Sequence, residues 1–124
     1  MYAILVVDDA LDIGEMLRVA LNTNGSSCRI EQATTIPNVW KYLDNGGGEK
    51  FHLILMDAHL GGSTYTFGLV RQIRQRGIAV PIGAISADPL CQKQLIISDC
   101  TGNIIPLRKD NLIHEVELFF TTLT

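Results

Sequence analysis

Two rhythms of apolar and polar residues take turns along this chain. Residues 2–7, Tyr-Ala-Ile-Leu-Val-Val, are an unbroken apolar run, the pattern of a strand covered on both faces. Ile13, Met16, Leu17, Ala20 and Leu21 then recur at helical spacing, and the Asn-, Gly- and Ser-bearing stretch 22–27 closes that helix. Residues 28–33 alternate weakly and suit an edge strand. Thr34 or Thr35 caps a second helix, with Pro37 in its first turn and Ile36, Val39, Trp40 and Leu43 on its buried face. The Asn-Gly-Gly-Gly stretch 45–48 stops it as a flexible loop.

Residues 52–56 carry a second wholly apolar run, Leu53-Ile54-Leu55-Met56, which ends in Asp57. A third helix holds Phe67, Leu69, Val70 and Ile73 and stops at Gly77. Residues 79–85 read as a strand, and a fourth helix starts at Pro89 and reaches about residue 98. Residues 102–105 form a short fifth strand, ended by Pro106. The last helix begins near Asp110 and buries Leu112, Ile113, Val116, Phe119 and Phe120. Strand and helix thus alternate five times. That order predicts an α/β fold, a three-layer doubly wound (βα)5 domain with a five-stranded parallel sheet and right-handed crossovers. A length of 124 residues fits a single domain, 1–124.

Composition narrows the function. The chain is 47% apolar and 19% charged, so it should be globular rather than disordered. Its net charge of −3 comes with no basic run, which argues against direct nucleic-acid binding. No apolar stretch approaches membrane-spanning length, and the first residues lack the basic lead of an export signal. Cys28, Cys91 and Cys100 are odd in number and include no CxxC, so a disulfide framework is not expected and a reducing cytoplasm is.

The chemistry lies at strand ends. Asp8 and Asp9 follow the first strand, Asp57 the third, and Ser86 the fourth. In open sheets of this kind ligands bind at the carboxyl ends of the strands. Singly, each residue has an ordinary reading: an acidic pair suits a helix N-terminus, and Asp or Ser suits a turn. Jointly, three clustered carboxylates repel one another, and a hard divalent cation such as Mg2+ relieves that repulsion. Asp57 beside such a cation is a candidate nucleophile that would form an acyl phosphate, with the Ser86 hydroxyl bonding the phosphate oxygens. His52, His59 and His114 share no metal-ligand spacing, and the His59 side chain belongs at the rim of the site.

On Val6-Val7-Asp8-Asp9, Leu53-Ile54-Leu55-Met56-Asp57, Val80-Pro81-Ile82-Gly83-Ala84-Ile85-Ser86-Ala87 and Pro106, the chain resembles the CheY-like receiver domains of bacterial two-component response regulators. The resemblance covers essentially the whole chain. It implies strand order 2-1-3-4-5 and a non-enzymatic phosphoacceptor, Asp57, served by a histidine kinase or phosphotransfer protein. It also implies Mg2+ held by Asp8 or Asp9, Asp57 and the backbone carbonyl of His59. Ser86 would be the switch hydroxyl, with the small Ala87 giving access to the phosphate. A downstream protein partner is implied, and a homodimer could form through the fourth helix, fifth strand and fifth helix.

Some positions depart from the family. Its lysine before the proline that follows the fifth strand is Ile105 here, and Arg108 and Lys109 just downstream are expected to be directed outward. Its aromatic switch residue falls on Gly102. Gly61 and Gly62 replace a Pro-Gly pair, and Ser63 to Thr66 lengthen a loop expected to be mobile. These losses predict slow phosphorylation of Asp57 and an atypical readout. They also keep open a pseudo-receiver that acts as an interaction module without phosphate. A flavin- or nucleotide-binding protein would need a Gly/Ser/Thr-rich loop where Asp8 and Asp9 stand, and an aspartate-nucleophile phosphatase would need its nucleophile after the first strand.

Overall fold

The computed structural model describes residues 2–22, 27–44, 46–62 and 64–123. The expected turn at 23–26, Asn45 and Ser63 lie outside the described residues. The strands are β1 (Tyr2–Val7), β2 (Cys28–Ala33), β3 (Leu53–Met56), β4 (Ile82–Ala84) and β5 (Ile104–Pro106). The helices are α1 (Leu11–Ala20), α2 (Ile36–Leu43), α3 (Phe67–Gln75), α4 (Pro89–Ser98) and α5 (Leu112–Thr121). All strand pairs are parallel and the sheet order is β2-β1-β3-β4-β5, as expected. The switch point therefore lies between β1 and β3, the strands that end in Asp8 and Asp57.

The unbroken apolar runs are explained by two cores. Ala3, Leu5, Val7, Ile54 and Met56 point to one face, under α2, α3 and α4. Ile4, Val6, Leu53 and Leu55 point to the other, under α1 and α5. A parallel strand alternates its side chains between two covered faces, so both sets must be apolar. The α1 face differs from expectation. Leu17 and Leu21 are buried, but Met16 is exposed and Gly14 takes the inward position. On α2, Val39 and Leu43 are buried, while Trp40 is half-buried beneath the Arg76 guanidinium, 3.9 Å from its ring.

Gly83 in β4 is fixed by packing. A Cβ there would lie 2.6 Å from Leu107 Cδ1 and 3.1 Å from Leu55 Cδ2, both on buried side chains. Gly83→Ala should therefore lower stability by about 1–3 kcal/mol, the usual range for overpacking, as a shift in the chemical-denaturation midpoint would show.

The end of the sheet differs from the sequence expectation in one consequential way. Pro106 does not follow β5 but is its last residue, paired with Ala84. The ladder continues beyond it, with Leu107 N–H donating to the Ala84 carbonyl at 2.9 Å. Proline is tolerated because β5 is an edge strand. The carboxyl edge of this strand thus lies near Arg108 and Lys109 rather than at Ile105.

Arg74, on α3, is a buried cation that the apolar pattern does not announce. Its Nε and Nη2 donate to Asp99 Oδ2 at 3.0 and 2.9 Å. Nη1 donates to the carbonyls of Ile78 and Val80, and Nη2 to that of Asn103. These bonds tie α3, the entry to β4, the end of α4 and the entry to β5 together.

Candidate functional site

Each acid is delivered by the end of a buried strand. Asp8 N–H continues the ladder to Ala33 O (3.2 Å) and Asp57 N–H to Val7 O (2.9 Å), so the backbones beneath the site belong to the sheet. Asp8 is fully buried, Asp9 exposed and Asp57 intermediate. Oxygen atoms of the three lie within 4.8 Å of one another. One oxygen of each is tethered: Asp8 Oδ1 accepts from Ala10 N–H (2.9 Å), Asp9 Oδ2 from Gly61 N–H (3.1 Å) and Asp57 Oδ1 from Ala58 N–H (2.8 Å).

Lys109 completes the group. Its ammonium donates to Asp57 Oδ2 at 3.2 Å and pairs with Asp8 Oδ2 at 3.0 Å. This overturns the expectation that Arg108 and Lys109 point outward. Arg108 does, pairing with Asp110 on the exposed surface. Lys109 turns back because the sheet edge lies where that residue leaves it. A cation thus stands beside Asp57 from four positions beyond Ile105.

The electrostatics are those of a site short of positive charge. Burial pushes the Asp8 carboxyl above its ordinary range, while Ala10 N–H and Lys109 pull it back only in part. Burial would lower Lys109, but pairing with Asp8 and the Asp57 charge outweigh it and hold the ammonium above its usual value. Asp8 Oδ2 is buried, and the Lys109 ammonium stands 3.0 Å from it. Three carboxylates face one ammonium, a formal excess of two negative charges. Hard oxygen donors, one of them on the buried Asp8, and that excess fit a divalent cation such as Mg2+.

Other expected residues are placed less directly. Ser86 is buried at the end of β4, its Oγ accepting from Asp88 N–H (3.2 Å). It shares with Ala87, Gln92, Leu107 and Lys109 a groove of about 390 Å³. His59 forms an antiparallel bridge with Tyr65. The bridge is closed by Thr66 N–H to Ala58 O and Leu60 N–H to Thr64 O, so it does not use the His59 carbonyl.

Around Asp57 the described loop residues make several contacts. Gly61 and Gly62 both adopt positive φ, 63° and 55°, the conformation that tight hairpin turns require. Thr66 Oγ1 donates to the Asp57 carbonyl at 2.6 Å, and the His59, Tyr65 and Phe67 rings pack in series. Gly102 also has positive φ, 73°, in the turn before β5, so a turn stands where the resemblance placed the aromatic switch. Sequence reading missed Gln32 as well as Lys109. Its amide reaches the backbone of Asp8 and Ala10, and a polar residue near the end of an otherwise pairing strand was the available signal.

The fold defines a class: the chain has the architecture of the CheY-like response-regulator receiver domains. No family model matches the sequence, and no curated protein matches it. The likeness is in three dimensions. The Francisella response regulator 1452 receiver domain aligns at a TM-score of 0.72 and 17% identity, covering 100% of both chains. The response regulator TrrA from Thermotoga maritima, in complex with Mg2+-BeF, aligns at 0.74 and 21%, again over 100% of both. A response regulator from Burkholderia pseudomallei with a phosphorylated aspartic acid, calcium ion and citrate aligns at 0.70 and 20%, over 94% of this chain and 65% of that one. At such identities the likeness establishes the fold. Among the described residues no helix is long and apolar enough to cross a membrane.

Proposed function

We propose that this protein is a signalling receiver that accepts a phosphoryl group on Asp57 and thereby changes its contacts with a downstream protein. The observation that carries the reading is the convergence of Asp8, Asp9 and Asp57 within 4.8 Å, with Lys109 between Asp8 and Asp57. Two structures with this fold, one with Mg2+-BeF and one with a phosphorylated aspartic acid and calcium, add support. The donor is a phosphohistidine of a kinase or phosphotransfer protein, and the protein itself is a phosphoacceptor rather than an enzyme. Its setting is the cytoplasm, which suits the free thiols of Cys28, Cys91 and Cys100.

In the transfer, an Asp57 carboxylate oxygen forms a bond to phosphorus as the P–N bond of the donor breaks, the electron pair leaving with the imidazole. Asp8, Asp9, Asp57 and the His59 carbonyl would hold Mg2+, which when bound supplies positive charge against the phosphoryl oxygens. Lys109 already stands beside Asp57 Oδ2 to face the same charge. Ser86 Oγ, in the groove that Lys109 also lines, would bond a phosphate oxygen. Leu90, Ile97, Ile105 and Leu118 expose apolar surface on α4, β5 and α5, the face proposed for the downstream partner.

A second reading, the phosphate-independent interaction module, is favoured by one observation: neither Gly102 nor any residue of β5 is aromatic. Intact mass after incubation with acetyl phosphate, with and without magnesium, separates the two. A magnesium-dependent adduct that Asp57→Asn abolishes is expected. A folded protein that takes up no phosphate would support the interaction module instead.

A further inference from the structure

Gln32 lies on the edge strand β2, one residue before its end, and is half-buried. Its carboxamide makes three bonds into the connection between β1 and α1. Nε2 donates to the carbonyl of Asp8 at 2.8 Å and to that of Ala10 at 2.9 Å. Oε1 accepts from Gly14 N–H at 3.1 Å. The absence of a Cβ at Gly14 leaves room for Gln32 Oε1 in this pose. A glycine within a helix costs about 1 kcal/mol relative to alanine, and here it admits a side chain from the neighbouring strand.

The two carbonyls bracket Asp9. Within the same segment, Asp8 Oδ1 accepts from Ala10 N–H and Asp9 Oδ2 from Gly61 N–H. One amide thus bonds the backbone of the segment whose carboxylates join the acidic cluster. Carboxylates that repel one another are held close by Lys109, and a fixed backbone beneath them limits how far they can relax apart. We propose that Gln32 is a positioning residue of the acidic site, clamping the Asp8–Ala10 segment so that Asp8 and Asp9 present their oxygens toward Asp57. Gln32 touches none of the reacting groups and acts through the backbone. The inference rests on the cation-binding reading of the site.

The test uses Gln32→Met, which keeps length and neutrality but removes the amide, and Gln32→Ala with and without Gly14→Ala. Magnesium affinity is measured by calorimetry, stability by thermal melting, and labelling by acetyl phosphate. Both single variants should bind magnesium at least about 10-fold more weakly, the lower end of the effect seen when a group orienting metal ligands is lost. The change should appear in the magnesium concentration needed for half-maximal labelling, with the rate at saturating magnesium kept. Adding Gly14→Ala to Gln32→Ala fills space and improves the helix, so stability should recover while affinity does not.

Recovery of both together would mean a merely structural role and overturn the proposal. So would a Gln32→Met affinity within twofold of the parent. A parent protein that binds no magnesium would overturn the reading of the site instead. Amide exchange at Ala10 then decides the clamp: faster exchange in Gln32→Met upholds it, and unchanged exchange overturns it.

Discussion

Lys109→Met should leave a folded protein whose Asp57 takes up phosphate from acetyl phosphate about 100-fold more slowly at saturating magnesium, the scale on which loss of one positioned charge donor is felt. Among the described residues, the Lys109 ammonium is the cation placed against both Asp8 Oδ2 and Asp57 Oδ2. As the new O–P bond forms, negative charge gathers beside Asp57, in a partly buried setting where a nearby positive charge acts strongly. Methionine keeps the apolar stem of the side chain and removes only the charge. Arg108→Ala is the matched control. Arg108 is exposed and pairs with Asp110, so its loss should change the labelling rate by no more than about twofold, as expected of a surface ion pair. Equal rates for Lys109→Met and the parent would show that the ammonium serves the resting protein alone. The effect on stability has a definite sign as well. Lys109 is held above its ordinary value, so its contribution is fully present below that value and is lost as pH rises through the folded one. Lys109→Met should accordingly narrow the difference from the parent only at strongly alkaline pH, in pH-dependent denaturation midpoints.

Why Lys109 escaped the sequence, while Asp8 and Asp57 did not, is a matter of local physics. A fully covered parallel strand must be apolar at every position, so β1 and β3 advertise themselves, and the first acid after each marks the sheet edge. An edge strand such as β5 carries no such mark. Its pattern is buried at Ile104 and exposed at Ile105 and Pro106. Proline after a short apolar run reads as a terminator, yet on an edge strand it can be the last residue of the ladder. Leu107, buried and bonded to Ala84, was the sign that the strand runs on. A misplacement of a few residues there moved the expected cation from Lys109 to Ile105. The β3–α3 loop failed for a related reason. Consecutive glycines marked a turn without its partners: Gly61 and Gly62 take positive φ, Thr66 bonds the Asp57 carbonyl and His59 bridges Tyr65. Arg74 falls beside Val70 and Ile73 on the buried stripe of α3, and a cation at such a place demands a buried partner. The apolar pattern announced neither Arg74 nor Asp99, 25 residues away.

Arg74→Met should be the most destabilising of the substitutions considered, lowering stability by about 3–5 kcal/mol, the usual cost of breaking a buried pair. The side chains of Arg74 and Asp99 are 2% and 0% exposed, so solvent does not screen the pair. Five guanidinium bonds are made, two to Asp99 and one each to the carbonyls of Ile78, Val80 and Asn103. Methionine fills much of the space but leaves a buried carboxylate and these carbonyls without their donor. The pH dependence identifies the cause. Burial alone would raise the Asp99 carboxyl, but bonds from Arg74 and Thr101 outweigh it and hold the group below its ordinary value. A depressed carboxyl stabilises the fold above its unfolded value and loses that contribution as pH falls through the folded one. Without Arg74 burial dominates and the ionised form becomes a liability. The gap between parent and variant should therefore be widest where Asp99 is ionised in both, begin to shrink as pH falls through the raised carboxyl of the variant, and shrink further below about 4, where the unfolded carboxyl takes its proton and the parent loses its own contribution. Adding Asp99→Asn to Arg74→Met removes the buried charge and keeps the oxygen that accepts from Thr101 N–H and Oγ1. The double variant should recover part of the loss, but not all, because the three carbonyls still lack a donor. A double variant no more stable than Arg74→Met at neutral pH would place the cost in those carbonyls and in packing rather than in the unpaired charge.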